Sequence, residues 1–307
     1  MRYIRLPIFF RLCCLLLFFG ALTLSLNAQL TGFSREDLIK YTANSPFERF
    51  EDGRPKVPDQ YIEALRNSSS EMVWGPLRRA GFPNQWVDGW KLLQPDKKLV
   101  GRVFTAQFMP TRPDVNDIIE KEANSEVRNN QRVINRLQPG DVLVVDLFGK
   151  VEEGTFVGDN LAAAVFAASG NGFVIDGGVR DLDGIIPQGM SGYVRGFHVS
   201  ALADVMLTGV NVPIQLGHTT VMPGDVVLGD REGLTFIPAS VVTEVARASK
   251  MTELHDVWTK AKFATGKYKA SDLYPRPKDP ELIQEFEEWR DSELAKLGME
   301  PPAPSED

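Results

Sequence analysis

Cysteine is nearly missing from this chain: two of 307 residues, Cys13 and Cys14, side by side near the start. Beyond them a disulfide framework, a thiol nucleophile and a cysteine-ligated zinc are all excluded. Histidine is almost as scarce. His198, His218 and His255 stand far apart, no H-E-x-x-H helix occurs, and a lone histidine is more often a structural residue than a base. There is no G-x-S-x-G elbow and no P-loop. Gly170-Asn171-Gly172 lacks the third glycine of a dinucleotide fingerprint and precedes an apolar strand-like run rather than a helix. No lysine lies between Glu152 and Ser249, which excludes a Schiff-base mechanism from that block. A basic block is absent too, and the net charge is −7, a poor balance for nucleic-acid binding.

The one long apolar run, Leu12 to Leu26, falls short of the roughly 20 residues of a spanning helix. Arg2, Arg5 and Arg11 precede or open it, and Ser25-Leu26-Asn27-Ala28 gives a cleavage site before Gln29. This pattern predicts a secretory signal over 1–28, hence an exported (periplasmic or secreted) chain with no membrane span after cleavage. An uncleaved N-terminal anchor is the alternative. Residues 29–58, broken by Pro46, Pro55 and Pro58, read as an extended or partly helical lead-in with little core.

From Asp59 the texture is that of an α/β domain, extending to about residue 262. Helical spacing runs over Asp59 to Leu77, interrupted at Asn67-Ser68-Ser69-Ser70, with Trp74, Trp86 and Trp90 expected to pack nearby. Val100–Ala106 reads as a strand, Val115–Leu137 as one charged amphipathic helix, and Val142–Asp146 as a buried strand behind the turn Pro139-Gly140-Asp141. The same device recurs at Pro223-Gly224-Asp225 before Val226. Val212–Leu216 and Leu234–Ile237 are expected to form a strand pair, and Ala239–Lys262 a helix. The segment 263–307 is a charged helical tail with a Pro-rich end.

Gly158 to Asp183 carries the chemistry. Gly158-Asp159 precedes an alanine-rich helix (Leu161–Ser169), and the run Phe173-Val174-Ile175 reads as a buried strand leading to Asp176-Gly177-Gly178-Val179-Arg180-Asp181. A helix start and a strand end are thereby brought close, where ligands sit in open α/β folds. Arg180 offers a cation for a carboxylate or enolate, and Asp181 a carboxylate for a hard metal ion. The plain alternative is solvated loop charges beside an ordinary N-cap. With Asp159, Asp176 and Asp183, the set suits Mg²⁺- or Mn²⁺-assisted chemistry on a small oxo-acid.

These segments, with Val100-Gly101-Arg102, Val212-Pro213 and both Pro-Gly-Asp turns, resemble the RraA-like family over about residues 59–245. That family includes class II 4-hydroxy-4-methyl-2-oxoglutarate (and 4-carboxy-4-hydroxy-2-oxoadipate) aldolases and regulators of ribonuclease activity. The resemblance implies a layered α/β/β/α-type domain, here with helical N- and C-terminal extensions, assembling as a homotrimer or hexamer. It implies metal ligation by Asp181, a substrate clamp at Arg180, and a carboxylate-binding turn at Gly158, Asp159, Asn160 and Leu161. Asp159 would orient a water for proton transfer, and an acidic residue of a neighbouring subunit, with Glu253 and Asp256 as possible sources, would complete the site. The implied activity is retro-aldol release of pyruvate from a 4-hydroxy-2-oxo acid, with oxaloacetate decarboxylation as a related reaction. A non-catalytic binding or regulatory protein is the alternative.

Overall fold

A computed structural model describes residues 32–123 and 126–302. The expected signal segment 1–28 lies outside the described residues. In chain order the elements begin with α1 (Arg35–Tyr41), α2 (Asp59–Arg66), α3 (Ser70–Arg79), β1 (Trp86–Val87), β2 (Lys91–Leu92) and β3 (Leu99–Pro110). Then come α4 (Pro113–Ala123), α5 (Asn129–Ile134), β4 (Asp141–Val157), α6 (Asp159–Ser169), β5 (Phe173–Val179), α7 (Leu182–Ile185) and β6 (Gly192–Phe197). The remainder is β7 (Val205–Val210), β8 (Ile214–Leu216), β9 (Thr219–Val221), β10 (Val226–Gly229), β11 (Leu234–Ile237), α8 (Val242–Ala264), α9 (Ala270–Leu273) and α10 (Pro280–Lys296).

Strands β3, β4, β5 and β6 are parallel neighbours, and β10, β11 and β1 continue the sheet antiparallel from the β3 edge. All seven residues of β5 are buried, as expected of a parallel strand covered on both faces. Three apolar layers result. Ala162 and Val165 of α6 pack on Val145 and Ile175; Val144 and Val174 on the opposite face meet Ile214 and Leu216; Val100, Val226 and Leu228 carry Ile62, Leu65, Val73 and Val245 from α2, α3 and α8. This is the layered α/β arrangement that the alternation of strands and helices predicts.

Four expectations change. The helix predicted over 115–137 is two helices: α4 ends at Ala123, and α5 starts at Asn129 behind Arg128, whose backbone is extended (φ −61°, ψ 151°). Residues 212–216 and 234–237 do hold strands, but these do not pair with each other: β8 pairs β9 across a tight turn at Gly217, and β11 pairs β10 and β1. Trp74 does not pack inside; it is 47% exposed, with Arg78 lying over its ring. The lead-in does join the core. Leu38 and Val57 are buried, and the fully buried Arg54 donates to both oxygens of the equally buried Asp141 (2.8 and 3.2 Å) and to Asp52 (2.7 Å), between the rings of Phe50 and Phe104.

The two Pro-Gly-Asp turns prove to be the same local device. In each, the aspartate side chain accepts the N–H three residues earlier, Gln138 to Asp141 and Met222 to Asp225, both at 2.9 Å. They differ in charge balance. Asp141 has Arg54 opposite it, whereas burial without a cation pushes the Asp225 carboxyl up to about 7.

Candidate active site

Strands β4 and β5 end side by side, Val157 opposite Val179, and Arg180 N–H donates to Val157 O (3.2 Å). The next residue along β4 is Gly158, the N-cap of α6; the next along β5 is Arg180. The Gly158 backbone is extended (φ −103°, ψ −170°), so glycine is not required there for its conformation. It is required for space. A Cβ at 158 would come well inside van der Waals contact distance of Asp181 Oδ2 and lie 3.2 Å from Arg180 Nε. Both predicted side chains therefore lie over the glycine corner, with Arg180 Nε 3.4 Å from Asp181 Oδ2, each about half exposed.

Asp181 adopts a left-handed conformation (φ 59°, ψ 45°), uncommon for a residue with a side chain. Its carbonyl accepts the N–H groups of Gly184 and Ile185 (3.0 Å each), which start the short helix α7 and fix the turn. Gly184 in turn makes room for Asp159: a Cβ there would lie 2.7 Å from both Asp159 Cβ and Oδ2. Gln188 Nε2 bonds the carbonyls of Asp159 and Gly184 at 3.0 Å, while its buried Oε1 has no partner. The two glycines thus let two carboxylates approach one corner.

At the mouth of α6, Asn160 N–H is taken by Asp159 Oδ1 (2.8 Å), and Ala162 N–H bonds Gly158 O. Of the N–H groups expected to hold a substrate carboxylate, Asn160's is thus occupied, whereas that of Leu161 makes no hydrogen bond among the described residues. A cleft of about 630 Å³ adjoins this corner. Gly158, Asn160, Leu161 and Arg180 line it together with Arg128 to Arg132 from the start of α5 and Ala201 to Ala203. Asp159 and Asp181 are not among its lining residues.

Other sequence candidates lie elsewhere. Asp176 is buried and bonded to Arg195 Nε (2.6 Å), and Arg195 stacks on Trp90 at 3.8 Å, so this carboxylate is structural. It belongs to a polar row across the sheet, Gln107, Asp146, Asp176 and Arg195 on neighbouring strands. Burial pushes the Asp146 carboxyl up, and the charge of Asp176 acts in the same direction. Glu253 and Asp256 lie on α8, each bonded to a lysine of its own helix, Lys250 (3.0 Å) and Lys260 (3.1 Å). The cleft wall at Arg128, Asn129 and Arg132 was not read from the sequence; its only trace there is the run Arg128-Asn129-Asn130-Gln131-Arg132 where the predicted helix breaks.

The donor set limits which metal could fit. Among the described residues no group of three or more His, Cys, Asp or Glu side chains converges. A single half-exposed carboxylate over an open corner does not suit zinc, which takes closed nitrogen and sulfur sites. It does suit a hard ion that retains most of its water, as Mg²⁺ and Mn²⁺ do.

A family model described as RraA-like, Aldolase/RraA, matches residues 73–236, more than half of the chain. A Halalkalibacterium halodurans protein named a putative 4-hydroxy-4-methyl-2-oxoglutarate aldolase is 30% identical over 118 residues, 38% of this chain and 56% of that protein. Protein DlpA of Legionella pneumophila is 24% identical over 206 residues, 67% of this chain and 32% of DlpA. The chain thus spans just over half the length of the first and about a third of the second. Among solved structures, a Streptomyces coelicolor protein described as an unusual member of the RNase ES inhibitor RraA protein family superposes with a TM-score of 0.60 at 25% identity, covering 67% of this chain and all of that one. An uncharacterised Pseudomonas syringae protein gives 0.59 at 22% identity, over 73% of this chain and 94% of its own. The region matched contains the whole glycine corner and its two charged side chains, and the chain belongs to the RraA-like family.

Proposed function

We propose that the protein is a divalent-metal-dependent carbon–carbon lyase that cleaves a 4-hydroxy-2-oxo acid and releases pyruvate. The observation that carries this reading is the seating of Arg180 and Asp181 over Gly158, with Gly158, Leu161 and Arg180 in the lining of a cleft. Arg180 pairs with the 2-oxo acid carboxylate and faces the keto oxygen, where negative charge grows as the bond breaks. The Leu161 N–H, at the positive end of α6, holds the carboxylate in register. Asp159 positions a water that takes the proton of the 4-hydroxyl group. The C3–C4 bond then breaks, its electron pair passes to the pyruvyl half as an enolate, and a proton returned to C3 completes pyruvate. A Mg²⁺ or Mn²⁺ ion held by Asp181 would supply Lewis-acid polarisation of the keto oxygen. Loss of CO₂ from oxaloacetate uses the same residues, since it leaves the same enolate.

A homotrimer or hexamer, with a carboxylate from a neighbouring subunit, belongs to the same proposal. So does export by residues 1–28, which N-terminal sequencing of the mature protein beginning at Gln29 would support. The second reading, a non-catalytic regulator, draws on the Streptomyces coelicolor relative's description as a member of a ribonuclease inhibitor family. Purified protein mixed with 4-hydroxy-4-methyl-2-oxoglutarate or oxaloacetate, with and without Mn²⁺, separates the two. Metal-dependent pyruvate release that chelation abolishes supports the lyase; folded protein inert toward a panel of 2-oxo acids supports the regulator.

A further inference from the structure

The glycine corner accounts for one end of a substrate and leaves the rest of the cleft lining unassigned. Part of that lining is the start of α5. Two of its arginines line the cleft and differ in their pairing. Arg132 donates to both oxygens of Glu120 at 2.7 Å, and its own charge is thereby matched. Arg128 is exposed, its backbone N–H bonds Gln131 Oε1 (3.2 Å), and its guanidinium forms no ion pair among the described residues. Arg180, also in the lining, has the long 3.4 Å approach of Asp181 as its one ion pair among the described residues. The cleft lining therefore holds a guanidinium on each of two elements, Arg180 after β5 and Arg128 at the start of α5. At about 630 Å³ it has room for a ligand longer than pyruvate.

We infer that Arg128 is a specificity-determining residue that pairs with the second carboxylate of a dicarboxylic ligand whose 2-oxo acid end lies at Arg180. This rests on the lyase reading for which end binds where. A neutral far end would leave the Arg128 guanidinium unpaired, whereas a carboxylate satisfies it. Arg132 is not the pairing group, because it is already held by Glu120. The arginine is suited to the task by its planar fork, which grips a carboxylate through two parallel N–H donors.

Calorimetric binding with Mn²⁺ present, using two unreactive probes, tests the inference without needing turnover. The probes are 2-oxoglutarate, with a distal carboxylate, and 2-oxobutyrate, without one. The parent should bind 2-oxoglutarate about tenfold or more tightly than 2-oxobutyrate, as a charge-assisted pair implies. Arg128→Gln should abolish that preference and leave 2-oxobutyrate unchanged, while Arg180→Gln weakens both. In a turnover assay Arg128→Gln should raise KM for 4-hydroxy-4-methyl-2-oxoglutarate with kcat nearly constant. An unchanged preference in Arg128→Gln, with Arg180→Gln still weakening both probes, overturns the role of Arg128 and leaves the lyase reading intact. Failure of the parent to bind either probe overturns the lyase reading itself.

Discussion

Gly158→Ala isolates the geometry of the site from the stability of the fold. The backbone at 158 lies at φ −103°, which alanine adopts freely, so no conformational strain accompanies the change. The lower entropy of the unfolded chain gains about 0.4–1 kcal/mol, and loss of glycine's advantage at an N-cap offsets a similar amount. Net stability should stay within about 1 kcal/mol of the parent. The new methyl group, however, coincides with the space of Asp181 Oδ2 and touches Arg180 Nε at 3.2 Å. To reach ordinary contact distance the carboxylate must withdraw by about 1 Å. Misplacement of that size costs about 100-fold in rate when the group positions a reacting centre. Thermal melting and pyruvate release on the same preparation provide the assay. A melting temperature within a few degrees of the parent together with a hundredfold loss is the expected pair of results. Parental turnover in a folded Gly158→Ala protein would refute the reasoning, since the carboxylate would then not be needed where it lies.

Arg54→Met removes the cation opposite a carboxylate that is fully buried, leaving Asp141 with the Gln138 N–H as its remaining partner. Urea unfolding should show a loss of about 3–5 kcal/mol, and Arg54→Met with Asp141→Asn should regain part of it. The Asp225 carboxyl, pushed up to about 7 by burial, holds a proton in the folded chain that the unfolded chain releases near its ordinary value of about 4. Stability should therefore fall as pH rises from about 4 to 7 and level off above. Asp225→Asn should flatten this slope and be the more stable protein at pH 8, as followed by melting across the pH range; an unchanged slope would assign it to other groups.

Much of the fold was legible because period and punctuation agree. The apolar run ending at Ile175, too short for a helix and followed by Asp-Gly-Gly, is a buried parallel strand, and the alanine-rich stretch after Gly158 is the helix facing it. The corner was legible for the same reason, since a strand end and a helix start joined by few residues must lie together. What could not be read depends on contacts between distant segments. Nothing near Arg54 in the sequence announces Asp141, 87 positions away, so the lead-in looked coreless. Periodicity does not state which strand pairs with which, and the strands at 214–216 and 234–237 found different neighbours. The apolar spacing over 115–137 runs on past the extended Arg128, where α5 starts, and that new helix start is part of the cleft lining. Asp176 and Asp181 look alike in sequence; only the sheet register, which sets Arg195 beside Asp176, separates a structural carboxylate from an open one.

The proposed activity requires that the glycine corner seat a divalent cation and an anionic ligand together. Electron paramagnetic resonance of Mn²⁺ titrated into the protein, with and without oxalate as a mimic of the pyruvate enolate, reads this directly and requires no turnover. The parent should bind Mn²⁺ more tightly when oxalate is present; Asp181→Asn should lose Mn²⁺ binding, and Arg180→Gln should keep it but lose the oxalate effect. Equal Mn²⁺ binding by the parent and Asp181→Asn would contradict the account.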